Sequence, residues 1–253
     1  MSTLRTRGPY QGVLQILQFN RRMYLIATAG IVAATLAWPF LPTPGRIALM
    51  LGVVPGLFWM ASSLLVSHYI YDRFPLYDFR WIVRLLTRVP RRWINIHSGW
   101  DETSGLLETI LPAEGNQVVD IFDPLIMTEV SIQHARLINQ KAVPAISGRY
   151  NRLPFDAGKF DAAFAIFTAH ELRRHEQRVD LFREIVRVLT PGGELVLMEH
   201  ARDWKNLLAF GPGFLHFFSR KEWRNAASEA GLMVRTEFAM TPFVQVYVLR
   251  KNL

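Results

Sequence analysis

The sequence predicts an α/β domain, built as a doubly wound, mostly parallel sheet with a terminal antiparallel hairpin and preceded by a transmembrane helical hairpin. Three observations predict it. Between Met23 and Tyr69 the chain runs 47 residues with one charged side chain, Arg46. Beyond Trp93, strand-like and helix-like segments alternate, as they do where helices cover both faces of a parallel sheet. A mean hydropathy of +0.12 is high for a soluble domain, yet 20% charged residues is too many for a polytopic transporter, so one small anchor plus one globular domain fits.

In chain order, residues 1–22 form a basic N-terminal segment with Arg5, Arg7, Arg21 and Arg22. Residues 23–70 make a two-helix membrane anchor. Its apolar runs, Met23–Leu41 and Ile47–Ser67, each come close to the roughly 20 residues that cross about 30 Å of hydrocarbon, and Pro42, Pro44 and Gly45 form the turn between them. Because arginines flank both ends, the N-terminus and the soluble domain are expected on the cytoplasmic side of a bacterial-type inner membrane. A hairpin buried in a larger core, or one dipping into a single leaflet, has the same pattern. The charge of +8 gathers on these flanks, where it meets anionic lipid, so the bilayer and not nucleic acid is the expected partner.

Residues 71–92 read as an amphipathic interfacial helix or linker. Leu76, Phe79, Ile82, Val83, Leu86 and Val89 recur at helical spacing opposite a set of arginines. Trp81 and Trp93 suit the head-group boundary, and Pro90 ends the helix. The same stripe also serves a helix packed on the soluble domain. The absence of cysteine excludes disulfides, thiolate metal sites and a thiol nucleophile.

The soluble domain, residues 93–253, reads as strand Trp93–His97, helix Ser104–Leu111, strand Gln117–Phe122, helix Met127–Asn139, strand Ala142–Ser147, strand Phe160–Phe167, helix Gln177–Leu189 and strand Glu194–Glu199. Right-handed crossovers place the loops after the parallel strands at one edge of the sheet, where doubly wound folds bind ligands.

Three stretches are distinctive: Arg152-Leu153-Pro154-Phe155-Asp156 leading to Phe160-Asp161; Leu181–Leu197 with its Pro191-Gly192-Gly193 turn; and Ser219–Trp223 followed by Ala230-Gly231-Leu232. In them, and over roughly Trp93 to Lys251, the chain resembles the class I S-adenosylmethionine-dependent methyltransferases of the type 11 group. The resemblance implies a Rossmann-like sheet, S-adenosylmethionine as cofactor and methyl transfer as the activity. It also implies a glycine-rich cofactor loop on the first strand. The matching stretch carries Asn95, His97, Gly99 and Asp101, and of the GxGxG glycines only Gly99 remains. The acid that grips the ribose hydroxyls falls on Asp123, although Asp123-Pro124 is equally a helix N-cap followed by proline. The adenine side falls on Gly148, Arg149 and Tyr150, and Phe167 closes the cofactor-binding set.

Catalytic candidates follow the fourth and fifth strands, at His170-Glu171 and Glu199-His200. A neutral His170 or His200 takes a proton from the acceptor while Glu171 or Glu199 orients it; alternatively these residues begin a helix and bond loop backbone. No metal is expected, since no pair has an established ligand spacing. Leu207–Phe218 reads as an apolar lid or as core. The function expected is methyl transfer to a hydrophobic or membrane-associated small molecule, such as a lipid, a quinone-like ring or a lipophilic metabolite. The alternative is a non-catalytic scaffold of the same fold.

Overall fold

The computed structural model describes residues 8–138 and 143–251. Its elements are α1 (Gln11–Phe19), α2 (Arg21–Ala37), α3 (Thr43–His68), α4 (Arg80–Leu85), β1 (Trp93–His97), α5 (Ser104–Ile110), β2 (Gln117–Asp120), α6 (Val130–Ile138), β3 (Ile146–Ser147), β4 (Phe160–Ile166), α7 (His175–Val188), β5 (Leu189–His200), α8 (Trp204–Phe210), α9 (Arg220–Glu229), β6 (Leu232–Thr241) and β7 (Val244–Lys251). Among the described residues the strands form one seven-stranded sheet in the order β3-β2-β1-β4-β5-β7-β6. β1 to β5 are parallel, and β7 lies antiparallel between β5 and β6.

The middle of the sheet is buried on both faces, so its strands are nearly continuous apolar runs. Strand alternation distributes them between two cores. Ile94, Ile96, Leu195 and Leu197 join Phe182, Ile185 and Trp223 on one face. Trp93, Phe164, Val196 and Met198 join Ile70, Leu76, Phe79 and Ile82 on the other. Near its start β5 bulges through Pro191-Gly192-Gly193, where its register with β4 shifts, with Gly192 at φ +70, a conformation that glycine adopts without the steric cost of a side chain.

That second core corrects the reading of residues 71–92. They form a π turn at Tyr69–Arg73, a 3-10 turn at Pro75–Tyr77 and the six-residue α4, not one interfacial helix. Leu76, Phe79 and Ile82 are fully buried against the sheet, and Trp93, expected at a head-group boundary, is fully buried in β1. The stripe covers protein because the otherwise bare face of β1, β4 and β5 offers more apolar surface than an isolated interfacial helix would bury.

The segment expected to be an anchor contains two helical stretches, Arg21–Phe40 and Thr43–Tyr77, that by length and composition are long and apolar enough to cross a membrane, with 6% and 0% of their most apolar windows buried. Tyr24 and Ser63 join the two through their hydroxyls at 2.9 Å. Arg46 donates to the carbonyls of Trp38 and Pro39, so the lone charge of the hairpin satisfies a helix end. Of the N-terminal segment, Arg5 and Arg7 lie outside the described residues. Gln11–Phe19 is a helix, and its first N–H groups, on Gly12 and Val13, donate to the carboxylate of Asp72 at 2.5 and 3.1 Å. Asp72 lies in the π turn that extends α3, so the end of α3 holds α1. Asn139 and Ala142, which bound a predicted helix and strand, also lie outside the described residues.

Candidate active site

Three groups of side chains gather where the parallel strands end. The first lies on β1 and β2, whose register sets His97 beside Asp120. Gly99 turns at φ +103, and a Cβ there would lie 2.6 Å from Cγ of Arg136. His97 is buried, and its Nδ1 accepts the N–H of Gly99 at 3.1 Å. Nη1 of Arg136 donates to Oδ2 of Asp120 at 2.6 Å, and the guanidinium stands 4.3 Å from the centre of the Phe122 ring. Asp120 is thus the acid at the ligand edge of β2, three residues ahead of the predicted one. Asp123 instead accepts the N–H of Leu125 at 2.9 Å in a turn over 124–126; no helix begins there, since α6 starts at Val130, and β2 ends before the chain reaches it.

Asn95 and Asp101 form an internal cap. Oδ1 of Asp101 accepts the N–H groups of Thr103 and Ser104, both at 3.0 Å. Nδ2 of Asn95 donates to the hydroxyls of Thr103 and Ser104. Oδ1 of Asn95 is buried with no partner among the described residues. After β3, Gly148 donates its N–H to the carbonyl of Asp120 at 2.9 Å; Arg149 is exposed and Tyr150 packs on the core.

The second group surrounds His200. Its Nδ1 lies 3.0 Å from the carbonyl of Phe243 and its Nε2 2.7 Å from the hydroxyl of Tyr71, so both nitrogens are engaged. Phe217 and Phe167 stack on the ring, centroids at 4.7 and 5.2 Å. Phe167 reaches that position at φ +51, the one positive φ outside glycine among the described residues. Burial pushes the pKa of His200 down to about 4, so the imidazole is neutral.

The third group sits on the loop after β4. Glu199, buried on β5, accepts the backbone N–H groups of Thr168, Ala169 and His170 through Oε1 at 3.1, 2.8 and 3.2 Å. Its Oε2 lies 2.7 Å from Nδ1 of His170, whose Nε2 is 3.3 Å from Oε1 of Glu171. Burial opposes charge on His170, but the carboxylates of Glu199 and Glu171 outweigh it and push its pKa up to about 10. The bond and charge of His170 likewise overcome burial and hold Glu171 below its ordinary value. Oε2 of Glu171 is buried without a partner among the described residues. His216, from the turn after α8, brings its ring within 5.1 Å of His170, and burial pushes it down to about 3.

Sequence reasoning thus names His170, Glu171 and Glu199, which meet, and His200, which stands apart among aromatic rings. It misses Asp120, Arg136, His216 and Tyr71, because only the strand register and contacts between distant segments bring them to the edge. The α8 segment covers the second and third groups. Phe210 lies edge-on to His200, Trp204, Leu208 and Leu215 face outward, and the carbonyl of Leu208 accepts the hydroxyl of Ser62 on α3 at 3.2 Å.

Residues 110–197 match the type 11 family described as methyltransferase domain, about a third of the chain. An alignment over 103 residues is 32% identical to squalene methyltransferase 2 of Botryococcus braunii and covers 36% of this chain and 26% of that protein; the chain thus spans about a quarter of that relative. Human N-acetylserotonin methyltransferase, solved in complex with SAM, superposes with a TM-score of 0.59 over 98% of this chain and 72% of its own, at 13% identity. The [4+2]-cyclase SpnF superposes at 0.50 over 70% of this chain and 80% of its own, at 16% identity. At these identities the structural likeness is one of fold: a seven-stranded, Rossmann-like methyltransferase sheet.

Proposed function

We propose that the chain is a membrane-anchored, S-adenosylmethionine-dependent methyltransferase acting on a hydrophobic or membrane-associated small molecule. The observation that carries it is the cluster of Glu199, His170 and Glu171 at the ligand edge of a methyltransferase-type sheet, under an apolar segment held by an anchor helix. The methyltransferase domain and the fold support S-adenosylmethionine as cofactor. The relative named for squalene, a hydrocarbon, supports a lipophilic acceptor. The anchor supports bilayer attachment, with the basic flanks on the cytoplasmic side.

The residues of the first group fit the cofactor. Asp120 offers a carboxylate to a ribose diol, which shares it with Arg136 or displaces that guanidinium. Gly99 offers backbone without a side chain, and Oδ1 of Asn95 is a buried acceptor awaiting a donor. S-Adenosylmethionine supplies a methyl group activated on a sulfonium sulfur, so the acceptor turns cationic as it is methylated. The third group answers that charge. The carboxylate of Glu171, held below its ordinary pKa by the bond to His170, stabilises developing positive charge. A protonated His170 cannot take the acceptor's proton. Oε2 of Glu171 can, since a freshly methylated cation is acidic enough to give its proton to a weak carboxylate. His200, neutral and bonded at both nitrogens, holds the aromatic wall.

The competing reading, a non-catalytic scaffold, draws on Arg136 lying against Gly99 and pairing with Asp120. Transfer of tritium from S-[methyl-³H]adenosylmethionine into an extracted membrane lipid fraction separates the two. Organic-phase label that Asp120→Ala abolishes supports the enzyme; none from folded protein across lipid and quinone-like extracts supports the scaffold.

A further inference from the structure

His170, Glu171 and His216 each present one ligand atom, and the three atoms lie within 4.8 Å of one another. Two imidazoles and a carboxylate are a donor set suited to a borderline divalent ion that keeps an open position for substrate. Three further features belong to a prepared site. Nδ1 of His170 is held by Glu199 at 2.7 Å, the outer carboxylate that fixes the orientation of a metal-binding imidazole. Glu199 is itself fixed by three backbone N–H groups. Glu171, only 5% exposed, keeps Oε2 unpartnered among the described residues, and a buried orphan carboxylate oxygen requires a physical account.

The charges around the cluster are mixed: the Arg173 guanidinium disfavours positive charge at His216, and the carboxylates of Glu171, Glu199 and Glu129 offset it. Arg173 directs Nη1 to the carbonyls of His170 and His216 at 3.0 and 2.6 Å, which ties the β4 loop to the turn carrying His216. Glu129 stands 3.7 Å from Nδ1 of His216 and adds negative charge.

We propose that His170 through Nε2, Glu171 and His216 bind one divalent ion of the zinc class at the acceptor edge of the sheet, with Glu199 as the positioning residue for His170. The ion replaces the proton that Nε2 shares with Glu171, and that proton leaves to solvent as the ion binds. When bound, the ion takes over the part that Glu171 plays without it: its open position would take an oxygen of the acceptor and make an attached hydroxyl more acidic. That role rests on the methyltransferase reading; the binding itself does not.

The test uses full-length, chelator-treated protein in detergent, titrated with Co²⁺ by visible absorption and back-titrated with Zn²⁺. One equivalent is expected to bind. His216→Ala and Glu171→Gln should each weaken binding at least about 100-fold, and Glu199→Gln by about 10–100-fold. His175→Ala, whose imidazole is engaged by Glu222 and Glu229 on the surface, should leave it unchanged. No binding below millimolar ion by protein with native near-UV circular dichroism, or equal binding by His216→Ala, overturns the proposal. Glu171→Gln keeps the size of the side chain, so its loss of affinity is not a folding defect. S-Adenosylmethionine affinity is measured on the same samples: metal bound without cofactor sinks the methyltransferase reading, and cofactor bound without metal sinks the site.

Discussion

The hydroxyl of Tyr71 lies 2.7 Å from Nε2 of His200, joining the turn that extends α3 to the last residue of β5. With Nδ1 of His200 donating to the carbonyl of Phe243, Nε2 accepts and Tyr71 donates. The apolar hairpin is thereby bonded to the edge of the sheet that carries the candidate chemistry.

Tyr71→Phe should therefore destabilise the protein by about 1–3 kcal/mol, the cost of a buried acceptor left without its donor. Thermal unfolding in detergent measures it, and a variant as stable as the parent would show that the bond contributes nothing.

Acid should weaken the fold through His200. Its folded pKa of about 4 lies below the usual value near 6.5, so the unfolded chain binds the proton more readily between those pH values. The contribution is complete above about pH 6.5 and is lost as pH falls toward 4, by up to about 3 kcal/mol at 1.36 kcal/mol per unit. The melting temperature should fall less steeply over that interval in His200→Asn than in the parent; parallel curves would contradict the assignment.

Arg136→Met should tighten S-adenosylmethionine binding severalfold, because the ribose then meets Asp120 without competing with a guanidinium. Calorimetric titration reads the change. Weaker binding would mean that Arg136 supports the cofactor loop and does not obstruct it.

Much of the fold is legible in the sequence, and the reasons are local. Trp93–His97 and Ser104 onward follow from hydrophobic pattern, Pro191-Gly192-Gly193 from backbone conformation, and the start of α9 from Ser219, whose hydroxyl accepts the N–H of Glu222. What escapes depends on register or distance. Asp120 and Asp123 are equivalent acids until pairing with β1 sets Asp120 beside His97. The stripe from Leu76 to Leu86 has the same period whether lipid or a sheet covers it. His216 meets His170 across a separation that no local pattern encodes.

Because the chain contains no cysteine, single labels can map the hairpin. Spin labels at Ile26→Cys and Leu51→Cys, both sites exposed on the helices, should collide with oxygen more than with a water-soluble nickel complex; Met233→Cys, exposed on β6, should do the reverse. Water-like behaviour at both helical sites would remove the anchor.

The most direct measurement is equilibrium binding of S-adenosylmethionine to the full-length protein beside Asp120→Ala. Micromolar affinity that the variant loses by at least about tenfold, as removal of a charged hydrogen-bond partner costs roughly 1.5–3 kcal/mol, is the expected result. Folded protein that does not bind the cofactor, or a variant that binds it equally well, would contradict the placement of the cofactor between Gly99 and Asp120.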